Sequence, residues 1–312
     1  MQNMLQPQFV ELKLDAEIEV TATISTAGAS LKRLTVGNTD LITLTTGHDL
    51  NPYADGLVMA PWANRIDGGK WKLDDQDLQL VINDPSLNNA IHGLVSQSIF
   101  EITENSSAGM TLTTVLQPTA GYPFHLEISV SYKLTLSGIE VRHSAKNLSA
   151  AAAPYVVGAH PFLQISGTPT EDLEIKSSVR TVDLVNERKI PIGKQDISGS
   201  EFDITDWRKL STCHFDHGFS NLERDADGRG HHFLRAPSGA LLNIWQSSEM
   251  KYAFIFTPDF YINNADQNPR TAITIEPQTG PANAFNSKED LIWIEPNQAF
   301  DASWGLVFTP AS

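Results

Sequence analysis

Two short segments of this sequence carry residue types able to move a proton. Ala272-Ile273-Thr274-Ile275-Glu276-Pro277-Gln278 reads as a strand in which Ile273 and Ile275 share one face and Thr274 and Glu276 the other, so the carboxylate projects away from the apolar side. Pro277 lacks an amide donor and is expected to break the ladder. Glu276 is then held at a strand end, in the fixed geometry that a general base needs. Gly158-Ala159-His160-Pro161-Phe162 follows an apolar Tyr155-Val156-Val157, and Pro161 fixes the chain direction beside the imidazole. Such rigidity suits a residue that delivers a proton to one atom. Taken singly, a solvated strand-end glutamate is the commoner role for the first residue, and a core histidine is as common as an acid for the second.

Three further contexts hold polar groups beside turns or aromatics. In Pro61-Trp62-Ala63-Asn64-Arg65-Ile66-Asp67-Gly68-Gly69, Arg65 offers a planar fork of donors, or else lies over Trp62 at the surface. His92, between Ile91 and Gly93, can bind a hydroxyl or carbonyl oxygen, although most lone histidines are structural. Asp216 sits between Phe215 and Phe219, where aromatics can pack on a sugar face. His214 and His217 spell H-x-x-H with His231-His232 downstream, but a strand splays residues three apart and no HExxH helix accompanies them, so no metal is expected. There is no G-x-S-x-G elbow, no phosphate-cradling glycine loop, and Cys213 has no nucleophile setting, which speaks against covalent catalysis and a nucleotide cofactor.

The elements that must position these groups are strands. Alternation is clearest over Leu126–Leu136 and recurs at Ile18–Ile24, Thr111–Leu116, Leu241–Trp245, Tyr252–Phe256 and Leu306–Phe308. Turn residues punctuate them at Gly37-Asn38, Asp67-Gly68-Gly69, Ser137-Gly138, Asp227-Gly228 and Pro237-Ser238-Gly239. Helical turns are expected only near Asp206–Leu210 and Ser287–Asp290, and Ala150–Ala153 is expected to be a loop entering a strand. Many short strands without crossover helices predict antiparallel sheets packed as a large sandwich, and no linker or repeat divides residues 1–312, so one domain is expected.

With 312 residues and 41% hydrophobic content the chain can bury a large core. Its 37 acidic and 22 basic residues give a net charge of -15, which repels nucleic acid and anionic membrane surfaces, so neither is an expected partner. A lone cysteine, no apolar window of membrane length and no basic-apolar leader predict a cytoplasmic protein.

Taken in order, Ala63-Asn64-Arg65-Ile66, Ile91-His92-Gly93-Leu94, Gly121-Tyr122-Pro123-Phe124, Gly158-Ala159-His160-Pro161-Phe162, Asp216 and Glu276-Pro277-Gln278-Thr279-Gly280-Pro281-Ala282-Asn283-Ala284-Phe285 resemble the aldose 1-epimerase (galactose mutarotase-like) family over nearly the whole chain. The resemblance implies an all-β fold, a large antiparallel β-supersandwich, and interconversion of the α and β anomers of a free monosaccharide without cofactor or metal. By that likeness Glu276 is the base on the anomeric hydroxyl and His160 the acid on the ring oxygen, while Asn64, Arg65, His92 and Asp216 bind hydroxyls. Ring opening is expected to place the base and the acid on opposite sides of the hemiacetal, with Glu276 charged and His160 protonated at rest. Gly158-Ala159 before His160, and Asn283 where an Asp is usual, resemble divergent members rather than galactose mutarotases proper. Alternatives are a hexose-6-phosphate mutarotase, a non-catalytic carbohydrate-binding module, and a glycosidase or lyase pairing Asp216 with Glu276. A monomer or homodimer is expected.

Overall fold

The computed structural model describes residues 6–43, 53–262 and 268–311; Met1–Leu5, part of the stretch read above for a leader, lies outside them. Alternating sequence becomes alternating burial. Leu126–Thr135 buries Leu126, Ile128, Val130, Tyr132 and Leu134 and turns the residues between them outward. Ser137 and Gly138 then reverse the chain into Gly138–Asn147, its antiparallel neighbour. These two strands and Ala299–Thr309 form the middle of a nine-stranded sheet, which runs from Glu101–Asn105 at one edge to Arg208–Lys209 at the other.

A second, eight-stranded sheet carries the chemistry-bearing segments. Its order is Pro191–Asp196, Thr181–Val185, Asp216–Ser220, Tyr252–Phe256, Ile273–Gln278, Gly158–Ala159 and Val58–Met59, with Phe162–Leu163 also pairing Ile273–Gln278. A four-stranded sheet from Phe9–Leu14 to Thr39–Asp40 completes the larger layers. Val130, Val141, Ile244, Trp304 and Leu306 of the first large sheet and Val182, Phe219, Ala253, Ile255, Ile273 and Ile275 of the second join one continuous apolar core. Each such side chain contributes about 1.5–3 kcal/mol by leaving water. The architecture is the all-β antiparallel sandwich that the alternation predicts, and among the described residues no helix is long and apolar enough to cross a membrane. Helical turns form beside the expected places: a 3-10 turn at Leu210–Thr212 follows Arg208–Lys209, which is a strand, and a one-turn α-helix at Ala284–Ser287 ends where the second was expected to begin.

One expectation is overturned. Ile273–Gln278 does not end at Pro277: Ala253 pairs with Pro277 and Tyr252 with Gln278, so Glu276 lies inside a fully buried central strand. On its other side, near Pro277, this strand meets only the two-residue strand Gly158–Ala159, so the ladder that Pro277 cannot join is short.

Gly93 shows how tightly the loops beside this sheet are packed. Its φ is +75°, and a Cβ there would fall 2.0 Å from the carbonyl oxygen of Ala60. Gly93→Ala is expected to cost at least about 2 kcal/mol, since a left-handed backbone and a collision with main chain combine. The measurement is a urea midpoint, which should fall at unchanged slope; a midpoint equal to that of the parent would contradict the packing described.

Candidate active site

Strand register brings the two proton-moving residues together. Gly158 pairs with Gln278 and Phe162 with Thr274, which is one continuous register, so His160 falls directly opposite Glu276. The His160 N–H donates to the Leu57 carbonyl, and its own carbonyl accepts from the Gly56 N–H. Both backbone groups thus turn away from Glu276, making the two residues a non-hydrogen-bonded pair, the type that brings opposed side chains closest. His160 Nε2 stands 3.2 Å from Glu276 Oε1, with the side chains 6% and 1% exposed. Thr274 Oγ1 donates to Oε1 at 2.9 Å and Gln278 Nε2 to Oε2 at 3.0 Å, so the neighbours at i±2 on the same face fix the carboxyl group.

This geometry corrects two expectations. Acid and base stand side by side rather than on opposite sides, because they are cross-strand neighbours. Their resting charges also differ from the expected ion pair. Burial pushes Glu276 up to about 8, with Asp216 adding to the rise and the Thr274 and Gln278 hydrogen bonds opposing it. Burial also pushes His160 down to about 4. Both shifts favour a neutral carboxylic acid beside a neutral imidazole, since desolvation outweighs mutual attraction here.

The remaining sequence candidates converge on the same cavity. It has a volume of about 530 Å³, and its lining includes Asn64, Arg65, His92, His160, Asp216 and Glu276. The hairpin of Arg65–Asp67 and Asn89–Ile91 supplies one wall, with Arg65 opposite Ile91. Asn64 and His92 flank that hairpin in the left-handed region, at φ of 55° and 59°, and the His92 N–H donates to the Asn64 carbonyl. Asn64 is buried, and its Oδ1 accepts from the N–H of Arg65, so it shapes the turn. His92 packs edge-on against His160 with ring centres 5.2 Å apart. Burial, then His160 and Arg65, hold it well below the ordinary imidazole range, so it is a neutral ring. Nδ1 of His92 and Nδ1 of His160 are buried without a hydrogen-bond partner among the described residues.

Several residues that line the cavity, and one, Lys189, that stands behind a lining residue, were not singled out from the sequence. Asp84 Oδ2 accepts from Arg65 Nε at 2.9 Å and matches its charge. Lys189 Nζ lies 2.8 Å from Asp216 Oδ2 and does the same there. Tyr53, Phe254, Phe256 and Phe260 form an aromatic wall, and Phe260 stays 52% exposed at the rim. Period-two spacing signals Phe254 and Phe256, which share the face of Glu276 and Thr274 across the strand pair. No local signal marks Asp84 or Lys189, whose partners lie 19 and 27 residues away. Histidines of the two segments weighed for a metal go elsewhere: His217 Nδ1 of the H-x-x-H accepts from the Asp216 N–H, while His232 downstream bonds Ser177 and Gln246.

What the site can do follows from this arrangement: it can give and take a proton at two adjacent atoms of a polar ligand whose apolar face rests on aromatics. The comparisons with known proteins agree with the fold. The family described as Aldose 1-epimerase matches residues 11–305. The chain is 30% identical over 288 residues to the uncharacterized protein YihR of Escherichia coli (strain K12), covering 91% of this chain and 90% of that protein. It is 28% identical over 283 residues to the galactose mutarotase of Homo sapiens, covering 83% and 80%. Among solved structures, a GalM/aldose epimerase homologue from C. elegans superposes with a TM-score of 0.87 at 15% identity over 98% of this chain and 100% of that one. Galactose 1-epimerase from Lactobacillus acidophilus gives 0.80 at 17% identity over 99% and 100%. The matched family, spanning nearly the entire sequence, makes this chain a member of the aldose 1-epimerases.

Proposed function

We propose that the chain interconverts the α and β anomers of a neutral free aldose by opening and closing the sugar ring, with Glu276 as base and His160 as acid. One observation carries the reading: a carboxyl and an imidazole in 3.2 Å contact, buried at the floor of a sugar-sized cavity. The anomeric hydroxyl oxygen and the ring oxygen of a pyranose are bonded to one carbon. A side-by-side acid and base therefore suits them, and opposite sides are not required.

Between them the pair holds one proton. Moving it from the Glu276 carboxyl to His160 across their contact gives the carboxylate and imidazolium. The carboxylate then takes the proton of the anomeric hydroxyl, and the imidazolium gives its own to the ring oxygen as the C1–O5 bond breaks. Rotation about C1–C2 and closure on the other face give the second anomer, and the protons return. Each group supplies about 10² to 10⁴ in rate. Arg65, His92 and Asp216 are proposed to hold hydroxyls, with Asn64 shaping the Arg65 turn. A neutral substrate is supported by the matching of charges at the cavity, Arg65 with Asp84 and Lys189 with Asp216. No unmatched cation for a phosphate stands among the described lining residues, which disfavours a hexose-6-phosphate.

Polarimetry on freshly dissolved α-aldoses checks the roles. Glu276→Gln should lower kcat by about 10² to 10⁴ with the fold intact, and unchanged acceleration would remove Glu276 from the chemistry. Because the competent pair carries a single proton, kcat/KM should be flat between the His160 and Glu276 values of about 4 and about 8 and fall outside them. Below the lower limb both groups are protonated and the base is lost; above the upper limb neither is, and the acid is lost. A profile rising steadily through pH 8 would contradict this assignment.

A further inference from the structure

The turn between Thr181–Val185 and Pro191–Asp196 lies at the far edge of the eight-stranded sheet, yet it reaches both walls of the cavity. Asn186 builds it: the side-chain Oδ1 accepts from the N–H groups of Arg188 and Ile190 at 2.9 and 3.1 Å. Arg188 then docks on the hairpin that carries Arg65. Its guanidinium donates to the carbonyls of Leu87 and Asn88 and to Asn89 Oδ1, and pairs with Asp67 at 2.6 Å. Asn89 Nδ2 donates back to the Arg188 carbonyl at 2.9 Å. The next residue, Lys189, in the left-handed region at φ 59°, turns its ammonium to Asp216 on the other wall. Two consecutive residues therefore tie the Arg65 wall to the Asp216 wall.

Resting on the anomer-exchange reading, we propose that Lys189 is a sugar-recognition residue, presenting donors beside the Asp216 acceptor to hydroxyls at the end of the ring remote from the anomeric carbon. Asp216 and Glu276 lie on strands separated by Tyr252–Phe256, about 10 Å apart by strand spacing. That span accommodates a pyranose with its apolar face lying over Phe254 and Phe256. The Lys189 side chain is 34% exposed and that of Asp216 26%, so the pair is only partly buried, and donor and acceptor side by side match vicinal hydroxyls. Lys189 also acts at a distance on the chemistry. Glu276 is faced by His160, Thr274, Gln278, Arg65 and Asp216, and the Asp216 charge raises its proton affinity. With its cation removed, that charge acts unshielded on Glu276.

Lys189→Met and Lys189→Arg in the full chain separate these effects, with the aldose that the parent protein turns over fastest. Lys189→Met should raise KM roughly tenfold with kcat within about threefold, as expected for a lost hydrogen bond to a charged group. Its alkaline limb should move to higher pH, because loss of the pair's last proton is opposed by bare Asp216. Lys189→Arg should keep the parent's limb. Calorimetry of the same sugar, or of glucose and galactose if no aldose is turned over, on Glu276→Gln with and without Lys189→Met reads recognition without turnover. A roughly tenfold weaker Kd supports the inference and an equal Kd overturns it. Unchanged KM and unchanged limb in Lys189→Met also overturn it, whereas absence of turnover by the parent overturns only the anomer-exchange reading.

Discussion

The contact between Glu276 and His160 organises this molecule, and strand register makes it. Two residues separated by 116 positions meet because one antiparallel pairing puts them opposite each other, with the His160 backbone bonded to the far side. Nothing flexible sets the distance. Buried so deeply, the pair is kept neutral by the loss of water, and a single shared proton is the state the surroundings favour.

Around this floor the walls come from loops whose backbones are unusual. Asn64, His92 and Gly93 all adopt left-handed conformations within one hairpin region, and Asn283, also left-handed, donates its N–H to the Arg65 carbonyl while its Oδ1 accepts from Asp67. Such conformations persist only where packing over-determines them. Here the sandwich core supplies that packing, and the strain is spent on aiming Arg65 and His92 inward. Arg188 adds a second brace from the opposite end of the sheet.

The sequence makes the fold and the identity of the convergent residues readable, but not their mutual arrangement. Alternation over Leu126–Leu136 and Tyr252–Phe256 names strands and buried faces, because period two is a local property. The facing of Thr274 with Glu276 is local too. By contrast, adjacency of His160 and Glu276 depends on pairing between segments far apart in the chain, with many strands between them, and the counter-charges Asp84 and Lys189 likewise depend on non-local contacts. Reading Pro277 as a strand end erred because a proline's cost depends on which side its missing donor faces, which only the neighbouring strand decides. The expected charges erred for a related reason: depth of burial is a tertiary quantity.

Ile273 and Ile275 point into the interior while Glu276 borders the cavity with Thr274 bonded behind it, and the same division runs through Tyr252–Phe256, where Ala253 and Ile255 join the core and Phe254 and Phe256 line the cavity. Foldability and ligand choice are therefore written on alternate letters of the same strands. Exchange of the cavity-facing letters can therefore reshape the cavity while the other set keeps the protein folded, so that variation of the lining and persistence of the architecture, so often in tension, here cost each other little.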